Sequence, residues 1–309
     1  MVDRDLIEDD DGPDEEDLDA LEPVAEPDPA AEAVEAYATE AESLGAEERW
    51  EEAHSLLTTA LEEHEDDPLL LTWLAIAAER MGSEGEAYEL YRRALAQEPS
   101  DPFVLAAAGS GVAAFDDPDA EAALRLAAIT APSFPFARAA YGSYLAREGL
   151  FEEALAELRA ARDLAPDDSA VRAELGVAAL LAGRGDEGVA ELEEALSLAD
   201  ETWLRGLYSL ALLELGRDEE GAEQLHRASQ DRPEDVELAL LSALASGAQG
   251  WEDEAWASIA RAEAAAEPED RELLREVEEA VEDGSEGATA LLREHLGPSL
   301  LRERLRQRA

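Results

Sequence analysis

The chain has 309 residues, which is too long for one simple compact core and indicates either two domains or an array of repeats. Hydrophobic residues make up 46% of the sequence but aromatic residues only 5%, so alanine and leucine dominate and helices are favoured over strands. The formal net charge of −53 argues against nucleic acid and anionic membranes as partners, since both attract lysine and arginine.

All 24 basic residues are arginine, and the chain contains no lysine, asparagine or cysteine. The absence of cysteine excludes disulfide bonds and thiolate metal sites. A GC-rich genome accounts for missing lysine and asparagine, but it does not by itself produce 77 acidic residues. At about 1 M salt the Debye length is only about 3 Å, so a strongly acidic surface barely repels itself. The composition therefore resembles that of proteins from organisms with a molar-salt cytoplasm, with an ordinary acidic protein of a GC-rich bacterium as the alternative.

The first 29 residues contain 14 acidic residues and one arginine, a composition that predicts a disordered acidic tail. A segment around Leu18 and Leu21 that becomes helical on binding is the alternative. The start, MVDRDLIEDDD, lacks the basic and apolar parts of a secretory signal. The longest apolar stretch, PLLLTWLAIAA at 68–78, is too short to span a bilayer. We therefore expect a cytoplasmic protein without membrane insertion.

One helical pattern recurs between residues 30 and 296 with a period of 33 or 34 residues. The equivalent positions are Glu48, Gly82, Phe115, Gly149, Gly183, Gly216, Gly250 and Gly284. A small residue follows five positions later, an apolar residue nine positions later and alanine twelve positions later, which together form one face of a helix. A second helical pattern precedes each marker, and proline often closes the unit. Each unit is therefore predicted to be a helical hairpin that buries its apolar face by stacking on its neighbours.

The predicted units are 34–67, 68–101, 102–134, 135–168, 169–202, 203–235, 236–269 and a partial 270–296. The segment 203–215 fits the pattern least well. In the unit at 135–168 the pattern is carried by large residues, small residues and a closing proline. These are Tyr141, Leu145 and Leu158, then Gly142, Ala154 and Ala161, then Pro166.

This pattern resembles the tetratricopeptide repeat (TPR), whose unit has 34 residues. Arg138 is a departure, since the family favours an apolar residue at that position. The resemblance covers about 30–296 and implies an all-α, right-handed superhelical solenoid of about seven hairpins. The related RNA-binding pentatricopeptide array is disfavoured, because it needs a 35-residue period and a surface that attracts RNA.

In a TPR array the first helix of each hairpin lines the concave side. The twenty positions that the resemblance places there in units two to five hold three charged residues, although the chain is 33% charged. Low charge combined with aromatic residues is typical of an interaction surface. Alternatively, a tight superhelix packs these side chains on one another. The candidate groove residues are Leu69, Thr72, Ile76, Arg80, Phe103, Ala106, Ser110, Phe136, Ala139, Ser143, Arg147, Ala173 and Val177.

The sequence contains no pattern typical of catalysis. It has no glycine-rich phosphate loop, no GxSxG elbow, no cysteine nucleophile and no pair of histidines four residues apart. We therefore expect no enzyme activity, no cofactor and no metal. The resemblance implies a protein-interaction scaffold. Because the lysines and asparagines that grip chaperone carboxylate tails are missing, an apolar or helical peptide is the expected partner.

The C-terminal segment 297–309 reverses the sign of the charge, with four arginines against Glu303. Leu301 and Leu305 are four residues apart, so the segment is predicted to form a helix that caps the last hairpin, with its arginines favoured near the helix C-terminus. The alternative is a self-assembling structural protein in which this helix docks, head to tail, on the acidic body of a neighbouring copy.

Overall fold

The computed structural model of the protein describes residues 28–293, and in this range it contains sixteen α-helices and no strand. Successive helices pair into hairpins, and the predicted all-α solenoid is confirmed. The first helices are α1 (Pro29–Ala46), α3 (Pro68–Arg80), α5 (Pro102–Ala113), α7 (Pro135–Arg147), α9 (Ser169–Leu181), α11 (Thr202–Glu214), α13 (Val236–Ala248) and α15 (Arg271–Glu282). The second helices are α2 (Trp50–Glu63), α4 (Glu84–Ala96), α6 (Ala120–Thr130), α8 (Phe151–Leu164), α10 (Gly185–Leu198), α12 (Asp218–Asp231), α14 (Glu252–Ala265) and α16 (Ser285–Leu291).

The two chain ends fall largely outside the described residues. This applies to the predicted acidic tail as far as residue 27 and to the predicted helix at 297–309. The last two residues of the predicted tail are described: Pro29 is the first residue of α1, and the Asp28 carboxylate accepts a hydrogen bond from the Ala30 N–H at 3.0 Å. The first helix therefore includes Pro29, and Asp28 caps it.

Most first helices begin with an acidic cap. The carboxylate of Asp67 accepts hydrogen bonds from the backbone N–H groups of Leu69 and Leu70, both at 3.0 Å, and so satisfies donors that lack a partner within α3. Proline at the next position fixes a helical φ angle without losing a hydrogen bond. Asp28 and Asp101 cap their helices with proline at the next position in the same way, and Asp168 and Asp235 cap theirs without a following proline.

The recurring marker residue is the left-handed residue that ends each first helix. At Gly82, φ is +78°, its N–H donates to the Glu79 carbonyl at 2.9 Å, and the Ser83 N–H donates to the Ala78 carbonyl at 2.8 Å. This Schellman arrangement favours glycine, which has no Cβ to strain. In the third hairpin the left-handed residue is Asp116 (φ +55°) and not Phe115, because the turn from α5 to α6 is longer than in the other hairpins.

The two helices of a hairpin approach closely at small residues. In the α9–α10 hairpin a Cβ placed on Gly188 would lie 2.7 Å from the Gly176 carbonyl oxygen and 2.6 Å from the Leu180 Cγ. The segment 203–215, which fits the repeat pattern least well, also packs into the array. It forms the regular helix α11, which buries Leu204 and Leu212 completely in a core shared with α10, α12 and α13.

The arginine that departs from the TPR pattern braces its own hairpin. The Arg138 Nε donates to the Pro132 carbonyl at 2.6 Å, and its Nη1 donates to the Glu157 carboxylate at 2.6 Å. The guanidinium therefore links the preceding turn to the second helix. Arg172 repeats both bonds with the Pro166 carbonyl (2.8 Å) and Glu191 (2.7 Å), and Arg205 repeats the second with Gln224 (3.0 Å).

We predict that Gly188→Ala lowers the free energy of unfolding by about 1–3 kcal/mol, because the added methyl group meets backbone that has no room to move. Gly85→Ala is the control: a Cβ at that helical position has no atom within 4 Å, so stability should stay constant or rise by up to about 1 kcal/mol. Urea unfolding followed by circular dichroism measures both. Equal losses in the two variants would contradict close packing at Gly188.

We also predict that Glu191→Ala destabilises the protein by about 2–3 kcal/mol. The Glu191 side chain is only 11% exposed and its carboxylate pairs with both Arg162 and Arg172, so the substitution deprives two guanidinium groups of their shared partner. Glu223→Ala removes an ion pair with Arg227 in which both side chains are 54% exposed, and it should cost less than about 0.5 kcal/mol. Urea unfolding at 0.15 M and 1 M salt provides the measurement. A Glu191 effect as small as that of Glu223, or one abolished by salt, would contradict the brace.

Candidate interaction groove

The first helices form the inner layer of the solenoid. Within the described range, neighbouring first helices are in contact from α1 to α9 (α1–α3, α3–α5, α5–α7 and α7–α9) and again between α13 and α15, whereas among the second helices only α12 and α14 make more than marginal contact. In a curved stack the layer whose helices lie closer together is on the inside of the curve. The concave face is therefore lined by first helices, as the TPR resemblance implies.

An aromatic row crosses three of these helices. It consists of Trp73 on α3, Phe103 on α5, Phe136 on α7 and Phe134 just before α7. The ring centroids of Trp73 and Phe103 are 5.2 Å apart, those of Phe103 and Phe136 are 6.0 Å apart, and those of Phe134 and Phe136 are 5.9 Å apart. These separations are in the range of favourable aromatic pairs, so the rings hold one another in place across the hairpin boundaries.

The aromatic row is accessible to a partner. Phe136 is 40% exposed, and Trp73, Phe103 and Phe134 are half-buried. Leu69 and Ile76 are also half-buried and pack against the same core cluster as the row. Together these side chains form an apolar strip anchored to the core on one side and open to solvent on the other.

Six of the predicted groove positions are buried between helices and thus serve packing. They are Thr72, Ala106, Ala139, Ser143, Ala173 and Val177. Their polar groups are used internally: the Thr72 hydroxyl donates to the Pro68 carbonyl at 2.7 Å, and the Ser143 hydroxyl donates to the Glu174 carboxylate at 2.9 Å. The other seven predicted positions reach the surface. They are Leu69, Ile76, Arg80, Phe103, Ser110, Phe136 and Arg147.

Two arginines, Arg80 and Arg147, occupy predicted groove positions. The Arg80 Cζ lies 5.7 Å from the centroid of the Trp50 ring, and the Arg147 Cζ lies 5.3 Å from that of Tyr144, so both guanidinium groups stack on aromatic faces. The Arg147 side chain is 12% exposed; its buried Nε donates no hydrogen bond within the described residues and lies 3.9 Å from a carboxylate oxygen of Glu148. Burial raises the pKa of Tyr144, which therefore stays neutral beside the cation.

Glu79, the acidic residue among the twenty positions assigned to the concave side, has an internal partner. The Tyr91 hydroxyl donates to the Glu79 carboxylate at 2.9 Å, and burial raises the pKa of Tyr91 above its usual range. The hydroxyl of Ser110, by contrast, makes no hydrogen bond with any other described residue. The predicted groove positions thus add two cations and one open hydroxyl to the apolar strip.

Trp73 and Phe134 are the members of the row that the sequence reasoning missed. Trp73 is one helical turn after Leu69, and Phe134 directly precedes the proline that starts α7. Neither occupies a position that lines the concave side in the TPR pattern. Aromatic residues adjacent to those positions are the signal that could have identified them.

The described residues contain no group of three histidine or carboxylate side chains placed to hold a metal ion. The described histidines are dispersed: His54 lies 3.3 Å from Glu86, His64 contacts the ring of Tyr37, and burial lowers the pKa of His226. No helix in residues 28–293 is long and apolar enough to cross a membrane.

Comparison with known proteins supports the repeat. The tetratricopeptide repeat family model matches residues 45–110, whereas no curated protein matches the chain. A tetratricopeptide repeat protein from Parabacteroides merdae ATCC 43184 has 16% identity and a TM-score of 0.54, with 84% of this chain and 99% of that protein covered.

Two further solved structures are similar over most of the chain. PilW, a widely conserved type IV pilus biogenesis factor, has 18% identity and a TM-score of 0.54, covering 65% of this chain and 94% of its own. The Cut9–Hcn1 hetero-tetramer of the APC/C has 15% identity and a TM-score of 0.62, covering 78% of this chain and 48% of its own, so this chain spans about half of that protein. At these identities the likeness shows the fold, which is that of an α-α solenoid.

Proposed function

We propose that this chain, whose residues 45–110 match the tetratricopeptide repeat family, is a non-catalytic scaffold that binds an apolar or helical peptide on its concave face. The observation that carries the proposal is the aromatic row, which is partly open to solvent on a layer of helices with little charge. In a chain with a net charge of −53, an apolar strip of this kind favours association with another protein.

The spacing of the row suits one face of a helix. Trp73, Phe103 and Phe136 follow one another in centroid steps of 5.2 and 6.0 Å. Residues i and i+7 of an α-helix are about 10 Å apart along the axis, so three apolar anchors at i, i+3 or i+4, and i+7 can each meet one ring. Large, rigid aromatic side chains supply contact area at low conformational cost.

Polar groups at the edges would fix the orientation of the bound peptide. Arg80 and Arg147 can pair with carboxylates on its polar face, and the Ser110 hydroxyl can bond to its backbone or side chains. The acidic surface elsewhere disfavours acidic segments away from these two arginines and favours basic ones. The proposed occupant is therefore an amphipathic segment with apolar anchors and at least one acidic residue.

A cytoplasmic location and the absence of a nucleic-acid partner remain predictions from composition. Self-association is the second candidate function. It is favoured by a different surface, the exposed apolar face of α6 at Leu126 and Ile129.

We predict that Phe103→Ala combined with Phe136→Ala weakens partner binding at least about thirtyfold, because truncation of an aromatic anchor at an interface typically costs about 1–3 kcal/mol. Tagged wild-type and variant proteins would be incubated with lysate of the native organism at high salt. Proteins retained by the wild type and lost from the variant would be identified by mass spectrometry, and their affinities measured with purified components.

The matched control is Phe115→Ala, since Phe115 is 45% exposed but contacts Tyr88 outside the aromatic row. This variant should retain the same proteins as the wild type. Circular dichroism would verify that all three proteins are equally helical. Capture that is unchanged in the double variant, or lost equally in the control, would rule out the row as the binding site.

A further inference from the structure

Helix α6 exposes two large apolar side chains. Leu126 is 46% exposed and Ile129, one turn later on the same face, is 68% exposed. No other second helix of the first seven hairpins has a large apolar residue at either position. The residues equivalent to Leu126 are Thr59, Arg93, Ala160, Glu194, Arg227 and Arg261, and those equivalent to Ile129 are Glu62, Ala96, Asp163, Ser197, Gln230 and Ala264.

A pocket adjoins this face of α6. It lies where α4, α5 and α6 meet, has a volume of about 530 Å³, and has an apolar lining that includes Leu95, Ala122 and Leu126. Four charged residues also line it: Arg92 and Asp117, which pair with each other, and Glu98 and Asp119, whose carboxylates form no ion pair with a described residue. The α6 pocket is therefore an apolar cavity beside unpaired negative charge.

The long α5–α6 turn shapes one wall of the α6 pocket. The Asp117 carboxylate accepts hydrogen bonds from the Tyr88 hydroxyl and the Asp119 N–H, both at 2.9 Å, and lies 3.4 Å from the Arg92 Nε. These contacts tie the turn to α4. Since α6 begins only after this turn, it has 11 residues, whereas α4 and α8 have 13 and 14.

The chain itself contains a segment with the complementary chemistry. Leu301 and Leu305 are four residues apart, so a helix would place both on one face. Residues 302–308 include four arginines and a single acidic residue, although the net charge of the chain is −53. Two leucines suit the apolar cavity, and the arginines suit the unpaired carboxylates beside it.

We propose that the α6 pocket binds segment 297–309 of a second copy of this chain. The pocket is in the third hairpin and the described chain ends in the eighth, so five stacking steps of about 8–10 Å separate them, or about 40–50 Å along the array. Residues 294–300 span at most about 25 Å. The segment therefore reaches a neighbouring molecule, and the resulting head-to-tail contact is independent of the concave-face proposal.

The test is the mass of the full chain in solution, measured by size-exclusion chromatography with light scattering over a range of protein concentrations. At about 1 M salt the repulsion between the acidic bodies is screened, so contacts of this kind can form. The wild type should give masses above the 33.3 kDa of one chain that rise with concentration. Leu126→Arg with Ile129→Glu, which installs residues found at these positions in other hairpins, should weaken association at least tenfold.

A second variant tests the other side of the interface. Leu301→Ser with Leu305→Ser should also be monomeric at concentrations where the wild type associates. An equimolar mixture of the α6 variant and the segment variant should form a particle of two chains and nothing larger, because only one intact interface remains. That result requires contact between different molecules.

The control is Leu164→Glu, since Leu164 is 44% exposed on α8 outside the pocket and its loss should leave the masses of the wild type unchanged. Circular dichroism would verify the fold of each variant. A wild type that is monomeric at every concentration, association that survives both double substitutions, or a mixture that stays monomeric would overturn the proposal. If the segment instead bound to its own chain, the wild type would be monomeric at every concentration.

Discussion

The close approach of helices at small residues is the contact on which the rest of this structure depends. Gly176 and Gly188 bring α9 and α10 so near that a methyl group has no room, and other hairpins place alanine or glycine at the same depth. Only when the helices meet in this way do their leucines interlock and continue into the next hairpin. The left-handed residue after each first helix sets the angle between the two helices of the hairpin, and the hydrogen bonds of the bracing arginines stabilise that arrangement.

Because the chain is so acidic, its uncharged surfaces are the candidate contact surfaces. Most of the surface carries solvated carboxylates, which keep molecules apart in dilute salt. Among the described residues, the aromatic row on the concave side and the Leu126–Ile129 face of α6 differ from this background. They lie on opposite layers of the array, so one molecule can hold a peptide and contact a neighbour at the same time.

The period and residue pattern were sufficient to predict the hairpins, because the same small and apolar positions recur at every contact. Side-chain direction was harder to predict. Thr72 and Ser143 fall at concave positions but turn inward to bond with Pro68 and Glu174, while Trp73 lies off those positions and yet joins the row. The bracing role of Arg138 could not be predicted from the pattern either, because its partners are a turn carbonyl and a side chain 19 residues away. Such choices depend on three-dimensional neighbours that a periodic pattern does not encode.

Hydrogen–deuterium exchange of the full chain, with and without a partner captured by the wild type, tests the central claim most directly. If the concave strip binds the partner, exchange should slow in α3, α5 and α7 around Trp73, Phe103 and Phe136, and stay unchanged in α4, α6 and α8. Protection confined to the second helices, with α3, α5 and α7 unaffected, would contradict the account.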